Sequence, residues 1–352
     1  MIKTLTGILR CPVTHDEFSV KVIDEAERDF NGEVLTVINT AVLFTKHKWF
    51  YPVIGGIPRL GVEAFIDHED FLRQHLPDYD ERKAALVNTE GKLLQQVLQK
   101  NKRTKESFAK EWKLYDFDKD KTWDAGSDEM IQRFLTETGE TIGSLQNKIV
   151  FDAGCGNGKL NILLAQKGVQ QVAMDFSTSI EEAYRRNSSP NLHFIQGDVQ
   201  FPPVMFNYFD IVHSSGVLIH TNNTAWSFSC IEKTVKPGGK LSVWLYHPRK
   251  DFIHNLFNRI RSVTSKWPLR FQYHLYRFTI FPLSYCIKKI KGTKQNAREM
   301  MIDILDWFTP EFRHEHTHDE VTGWYSQKNY QDIQITTENI FGFNTTGVKS
   351  SG

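Results

Sequence analysis

The chain has 352 residues, enough for two domains of ordinary size or one large domain with an appendage. Its residues are 40% hydrophobic and 24% charged, which excludes a disordered chain. Lys plus Arg number 43 against 42 Asp plus Glu, so the net charge of +1 excludes a globally basic nucleic-acid binder and leaves room only for a local patch. Cysteines 11, 155, 230 and 286 are scattered, which argues against a disulfide scaffold and for a reducing compartment. No run reaches the roughly 20 apolar residues of a membrane span. Residues 1–13 lack the apolar core and cleavage site of a secretory signal. The expected location is cytoplasmic.

Residues 1–66 read as a small β-rich module. Its strand-like runs are 18–23, 34–38 and 41–45, with turn residues such as Asn31-Gly32 between them. Residues 67–145 are polar and helix-prone, for example over 91–110, and read as a helical linker or lid. From 146 to 352 strands and helices alternate, the pattern of a parallel α/β sheet. Residues 148–152, 171–175 and 191–198 are short apolar strands, each ending in an acid; 209–215 is a fourth and 241–246 a fifth. Between them, 158–166 reads as a helix stopped by Gly168, 177–186 as a helix capped by Ser177, and 224–235 as a helix closed by Lys236-Pro237-Gly238-Gly239. Two last strands, 332–337 and 341–349, are expected to complete seven, with 341–349 antiparallel at the sheet edge. A helical insert over 248–316 precedes them. The fold class is therefore α/β: a Rossmann-like seven-stranded sheet with a β-rich module in front. Such sheets bind ligands at the carboxyl ends of their strands, near the switch in strand order.

The sharpest motif lies at the end of the first of these strands: Phe151-Asp152-Ala153-Gly154-Cys155-Gly156-Asn157-Gly158. Glycines allow a tight turn and close approach of a ligand. The spacing is Gly-x-Gly-x-Gly behind an acid, not the Gly-x-Gly-x-x-Gly loop that seats a dinucleotide pyrophosphate. An acid at the entrance suits a ligand with a positive group, an ammonium or a sulfonium. Asp175, ending the second strand, can accept hydrogen bonds from ribose hydroxyls. Asp198, ending the third, can accept from an adenine amino group. Val199 supplies a backbone donor or an apolar contact, and Phe176 packs against the base.

These pieces together resemble the class I S-adenosylmethionine-dependent methyltransferases: Asp152-x-Gly-x-Gly-x-Gly, Asp175, Gly197-Asp198, the strand over 209–215, and Lys-Pro-Gly-Gly before the fifth strand. Ser215-Gly216-Val217-Leu218-Ile219-His220-Thr221 with Val243-Trp244-Leu245-Tyr246 is similar to a type-11 bacterial subgroup. The resemblance covers about residues 108–247. It implies S-adenosyl-L-methionine as cofactor, held by Asp152, Gly154, Cys155, Gly156, Asp175, Phe176, Asp198, Val199 and Ser215. One glycine loop alone would fit an NAD enzyme equally well; five motifs in order do not.

Methyl transfer from a sulfonium is an in-line displacement, and a base is needed only when the acceptor must lose a proton. The Asn/Asp-Pro-Pro-Tyr signature of many N-methyltransferases is replaced here by Ser214-Ser215-Gly216-Val217, which disfavours that chemistry. His220 follows the fourth strand where the acceptor usually lies, and is the candidate general base; the other reading is that it packs a helix start. Tyr246 is a weaker candidate. Phe108, Trp112 and Tyr115 share a helical face, which suits core packing or a lid over the cofactor.

From Arg249 to Lys294 the net charge is +10, leaving −9 on the rest, and aromatic residues are interleaved throughout. Phe252, Leu256, Ile260 and Val263 fit one helical face, with Asn255, Arg259 and Arg261 turned away. This composition suits an amphipathic cap on the active site, a helix in an anionic lipid interface, or a patch for RNA phosphates. His314, His316 and His318 invite a metal reading, but Thr317-x-x-Glu320 is a capping box that places them mostly before a helix, so no metal is expected there. In front, Cys11-Pro12-Val13-Thr14 and Tyr51-Pro52 resemble a zinc-ribbon-like domain that partners tRNA and protein methyltransferases. Thr14, Phe44 and His47 stand where ligand cysteines would be. Cys11, His15 and His47 fall short of a four-ligand site, so the ribbon is expected without zinc.

The expected function is methyl transfer to oxygen or carbon of a small-molecule, lipid-linked or saccharide acceptor, with peripheral membrane contact through 249–294. The alternatives are a tRNA methyltransferase using the front module and the insert, and a non-catalytic cofactor-binding scaffold.

Overall fold

The computed structural model describes residues 1–114, 126–249, 251–290, 292–293 and 295–351; the side chains of 103, 104, 106–114, 253 and 269 are not described. The lid reading of Phe108, Trp112 and Tyr115 falls outside the described side chains. In chain order the front module holds β1 (Ser19–Phe30), β2 (Glu33–Phe44), β3 (Phe50–Ile54) and β4 (Ile57–Pro58). Helices α1 (Ala64–Asp67), α2 (Glu69–His75), α3 (Tyr79–Leu114), α4 (Ser127–Thr138) and α5 (Ile142–Leu145) follow. Then come β5 (Ile149–Ala153), α6 (Lys159–Ala165), β6 (Gln170–Asp175), α7 (Ile180–Arg186), β7 (Leu192–Gln196), β8 (Phe209–Ser215), α8 (Thr224–Ile231) and β9 (Val235–Tyr246). The insert contributes α9 (Phe252–Thr264), α10 (Leu269–Phe278), α11 (Ile280–Ile290) and α12 (Ala297–Phe308). The chain closes with α13 (His318–Gln327), β10 (Tyr330–Glu338) and β11 (Gly342–Lys349).

The main sheet has seven strands in the order β10-β11-β9-β8-β5-β6-β7. β9, β8, β5, β6 and β7 run parallel, and β11 is antiparallel to both β9 and β10. The central strands are largely buried on both faces, their apolar runs interrupted by polar residues such as Asp152 and His213. Strand order reverses between β5 and β8, which opens a crevice at their carboxyl ends.

Four sequence expectations change. The runs 34–38 and 41–45 are one strand, β2; the irregularity between them is taken up by a bulge around Ile23 of β1. The Asn31-Gly32 turn is present, with φ of 55° and 97°, the pair of left-handed residues a tight hairpin needs. Lys236–Gly239 does not end a helix but bulges inside β9, which advances from Val235 to Lys240 while β8 advances from Phe209 to Ile211. α7 starts at Ile180, because the Ser177 hydroxyl donates to Asp175 (2.7 Å) instead of capping a helix. Finally, β11 is inserted between β9 and β10, so β10 is the edge. Burial explains it: β11 is buried over Gly342–Gly347, whereas β10 is mostly exposed.

The insert also turns the other way. Phe252 is 80% exposed, and Leu256 and Val263 are exposed with it. The inward side of α9 carries His254, Phe257, Ile260 and Thr264. Polar partners draw it inward: Arg261 donates to the Pro310 carbonyl (3.1 Å) and His254 meets Glu315 (2.7 Å). No described helix is long and apolar enough to cross a membrane.

The front module closes the far edge of the sheet. Leu60 N donates to Gln196 O (2.7 Å) and Arg59 bridges to β7. Arg28 donates to the Asn187 carbonyl (2.7 Å), and Leu9 pairs with Val204. Module residues Cys11, Trp49 and Tyr51 lie in one continuous core with Phe151, Met174 and Val212. The residues weighed as zinc ligands face different partners: Cys11 lies 3.6 Å from the Tyr51 hydroxyl, His15 stacks on Phe206, and His47 pairs with Asp16. The Arg59 guanidinium is buried and donates to Gln196 (3.1 Å) and Glu181 (2.9 Å). Arg59→Met keeps the apolar stem and removes both ties. It is expected to cost about 1–3 kcal/mol and to make the first 60 residues the earliest site of proteolytic cutting, read by denaturant midpoint and limited proteolysis.

Candidate active site

The glycine loop leaves β5 and returns into α6. Gly154 has φ 106°, and a Cβ there would meet the Val217 side chain at 2.3 Å. Gly158 has φ 68°, and its Cβ would meet Ala183 and Phe194 at 2.7 Å. Both positions therefore require glycine. The loop is pinned to the neighbouring strand: Gly154 N and Cys155 N donate to Met174 O (2.8 and 2.9 Å), and Gly156 N donates to Asp175 Oδ2 (2.9 Å).

One cavity runs over this loop at the carboxyl ends of the strands. Its lining brings together every residue assigned above to the cofactor and the candidate base: Asp152, Gly154, Cys155, Gly156, Asp175, Phe176, Asp198, Val199, Ser215 and His220. Asp175 also accepts from Ser177 N (2.8 Å). Burial pushes its carboxyl up, against the donors from Ser177 and Gly156. Asp198 accepts from Gln200 N (2.8 Å) and is ion-paired with Lys100 (2.9 Å), a residue of α3. Asn157 also lines the cavity; its Nδ2 is buried and has no partner among the described residues. A buried donor facing a cavity fits a ligand oxygen, such as a carboxylate.

The acid at the loop entrance is engaged more deeply than its spacing suggests. Asp152 Oδ1 lies 3.1 Å from His213 Nδ1, and Asp152 Oδ2 accepts from Asn161 (2.9 Å). His213 Nε2 lies 2.9 Å from Glu137 Oε2 of α4. All three residues are buried and line the cavity. Burial alone would lower the His213 pKa, but hydrogen bonds and charge from Asp152 and Glu137 raise it to about 10. His213 is thus an imidazolium between two carboxylates, and the cluster keeps one net negative charge for a cationic ligand. His220, in a short turn after β8, behaves oppositely. It lies against the Phe312 carbonyl (3.0 Å, Nδ1), and burial pulls its pKa to about 3, with Arg313 and Arg261 pushing the same way. It is neutral, and a weak proton acceptor.

Reasoning from sequence missed His213, Glu137, Lys100, Asn157 and Asp306. His213 carried a signal: a histidine inside an apolar buried strand needs a polar partner. Its partner Asp152 is its register mate on the adjacent strand, visible only once strand order is known. The histidines at 314–318 precede or open α13, with Thr317 accepting from Glu320 N (3.3 Å) as its cap.

Residues 150–239, about a quarter of the chain, match the family described as a methyltransferase domain. The chain is 30% identical over 131 residues to a demethylmenaquinone methyltransferase of Renibacterium salmoninarum, covering 37% of this chain and 52% of that protein. It is 30% identical over 105 residues to a tRNA U34 carboxymethyltransferase of Pseudoalteromonas atlantica, covering 28% and 32%. It thus spans about half or less of these curated relatives. Among solved structures, magnesium protoporphyrin IX methyltransferase from Synechocystis with bound SAH is similar at 16% identity and a TM-score of 0.43, covering 70% of this chain and 98% of that one.

The raised His213 pKa has a sign that can be tested. Its stabilisation is complete below the unfolded value of about 6.5 and is lost as pH climbs towards about 10. The thermal midpoint of the protein should fall over that window. His213→Gln leaves two buried carboxylates without their cation; it should cost about 3 kcal/mol or more at neutral pH and flatten the fall, read by thermal melts across pH.

Proposed function

We propose that this protein is a methyltransferase that takes its methyl group from S-adenosyl-L-methionine. The observation that carries this reading is the single cavity along the glycine loop, with Asp175, Asp198 and the net-negative Asp152–His213–Glu137 cluster on its wall. Asp175 would accept from the ribose, Asp198 from the adenine amine in competition with Lys100, and Asn157 would donate to the carboxylate. Asp152 and its neighbours would favour the cationic end. The bound sulfonium supplies an electrophilic methyl that is already activated, so the protein's work is to hold, align and exclude water. His220 lines the acceptor end as a neutral contact.

The acceptor is a small or carried molecule methylated at oxygen or carbon. The relatives named for demethylmenaquinone and for malonyl-[acyl-carrier protein] support that choice. The relative named for tRNA supports the alternative. The surface of the insert favours a lipid-linked acceptor met at a membrane. Nineteen large apolar side chains are exposed among the described residues, and ten of them lie between Phe252 and Ile290. Between Arg249 and Lys294 the only acid is Asp251. Exposed apolar groups ringed by cations suit an anionic bilayer, where each added cation near the surface contributes about 1 kcal/mol.

Two measurements check the two halves. Asp175→Ala should weaken S-adenosylmethionine binding about 100-fold by calorimetry, as expected for losing two charged hydrogen bonds; unchanged affinity removes the ribose role. The protein should float with phosphatidylcholine vesicles containing phosphatidylglycerol and not with phosphatidylcholine alone. Phe271→Ser with Phe278→Ser should abolish flotation. No flotation, together with tRNA binding that weakens steeply with salt, decides for RNA.

A further inference from the structure

The insert sends one acid into the cavity. Asp306, on the last turns of α12, is 4% exposed and lines the cavity beside His220, Thr221 and Phe312. Among the described residues its carboxylate receives one hydrogen bond, a long one from the Tyr246 hydroxyl at the end of β9 (3.3 Å). A buried carboxylate so poorly satisfied needs an explanation, and a donor from a bound molecule is one. Arg313, whose charge acts on it, does not supply one: among the described residues no ion pair joins Arg313 to Asp306. The Arg313 guanidinium is stacked between the Tyr246 and Trp307 rings (4.1 and 4.3 Å) and is paired with Glu315. It does not line the cavity.

Apolar side chains line the same cavity, Met130, Phe134, Val217 and Phe312 among them. We propose that Asp306 is the group that takes the acceptor's proton, and that the acceptor presents an aromatic hydroxyl to it. This rests on the methyltransferase reading and names the acceptor class for the same site. Three observations converge on it. Asp306 reaches the cavity from the element that the methyltransferase-domain match does not include. It lines the cavity together with His220, in the turn after β8. Aromatic side chains, Phe134 and Phe312 among them, line that cavity too, and an aromatic ring packs against such groups.

The surrounding groups set its charge. Burial pushes the Asp306 carboxyl up to about 7; Asp303 on the same helix adds to this, and Arg313 and Tyr246 oppose it. Asp303 is itself paired with Lys288 (2.6 Å). Among the described residues, Arg261 and His254 of α9 with Glu315 lie around Arg313, and neutral His220 lies against Tyr246; α3 also packs on α12. A base near about 7 lies within about three units of a phenol, but far below an aliphatic hydroxyl, which is close to water at about 16. His220, at about 3, cannot compete for the same proton.

The step balances. The hydroxyl proton passes to the Asp306 carboxylate as the acceptor oxygen's electron pair forms the new bond to the methyl carbon. The C–S bond breaks with its pair returning to sulfur, which leaves S-adenosylhomocysteine and the methyl ether. The neutral carboxylic acid then returns its proton to water.

The test uses binding to the full-length protein saturated with S-adenosylhomocysteine. The probes are 2-naphthol and 2-methoxynaphthalene, which share a ring and differ in the donated proton. By calorimetry the wild type should bind 2-naphthol about tenfold or more tighter. That preference should grow as pH rises from about 6 to about 8, as the carboxylate ionises. Asp306→Asn should bind S-adenosylhomocysteine unchanged and lose both the preference and its pH dependence. Asp306→Asn should also melt no lower than the wild type at about pH 8. A carboxyl whose folded pKa is raised loses stability as pH rises through that value, so its removal relieves the fold. Equal affinity of the wild type for both probes overturns the proposal, as does a preference that survives in Asp306→Asn. Failure of the wild type to bind S-adenosylhomocysteine would instead overturn the cofactor reading, so the two outcomes are distinguishable.

Discussion

The buried line Asp152–His213–Glu137 is the constraint on which the cavity depends. Asp152 comes from β5, His213 from β8 and Glu137 from α4. Strands β5 and β8 are already paired by backbone hydrogen bonds, so His213 adds little to their union. What it adds is α4. The Glu137 carbonyl accepts from Ser242, Thr336 and Asn344, which ties the helix end to β9, β10 and β11 as well. The Glu137 backbone carbonyl thus joins α4 to three strands, and the imidazolium joins the same helix to β5 and β8. Its neutral form would leave two carboxylates in contact with no charge between them, a cost of several kcal/mol in such surroundings.

The opposite end of the cavity is set by elements that precede the sheet. Lys100 of α3 pairs with Asp198 and reaches Gln200 (2.6 Å), while the next residue, Asn101, donates to Glu63 (2.9 Å). Glu63 follows β4, and β4 leads into the backbone pairing at Gln196. The front module, α3 and the Asp198 end of the cavity thus form one hydrogen-bonded chain. Closing the exposed edge of β7 and shaping that end of the cavity are the same act of packing.

How much of this was legible depends on sequence distance. Gly154, Gly156 and Asp175 were readable because their contacts lie within one strand–helix–strand unit, β5-α6-β6, where spacing constrains geometry. The strand over 209–215 was readable from its place in the alternation of strands and helices, although Asp210, His213 and Ser214 interrupt its apolar run. The inserted position of β11 was not, since it depends on which of two late strands hides its faces, and alternation in 330–338 does not reveal that. The outward turn of Phe252 and Val263 was misread for a related reason. Apolar periodicity marks a face but not its partner, and Arg261 found carbonyl acceptors 49 and 52 residues away that drew the other face inward. The partners of His213 and Asp306 were invisible because each lies at least 60 positions away.

This division by distance also divides the chemistry. The acids that would hold the cofactor sit on strand ends, where backbone donors from Gly156, Ser177 and Gln200 stabilise their charge. Asp306 sits on a helix of the insert, with a single hydroxyl donor and another acid on its own helix. At Asp175 backbone donors oppose the effect of burial; at Asp306 burial pushes the carboxyl up to about 7. The loop and strands over residues 150–239 match a broad family, while the insert lies outside that match and has its own core around Tyr276 and Phe308, so the two can vary independently.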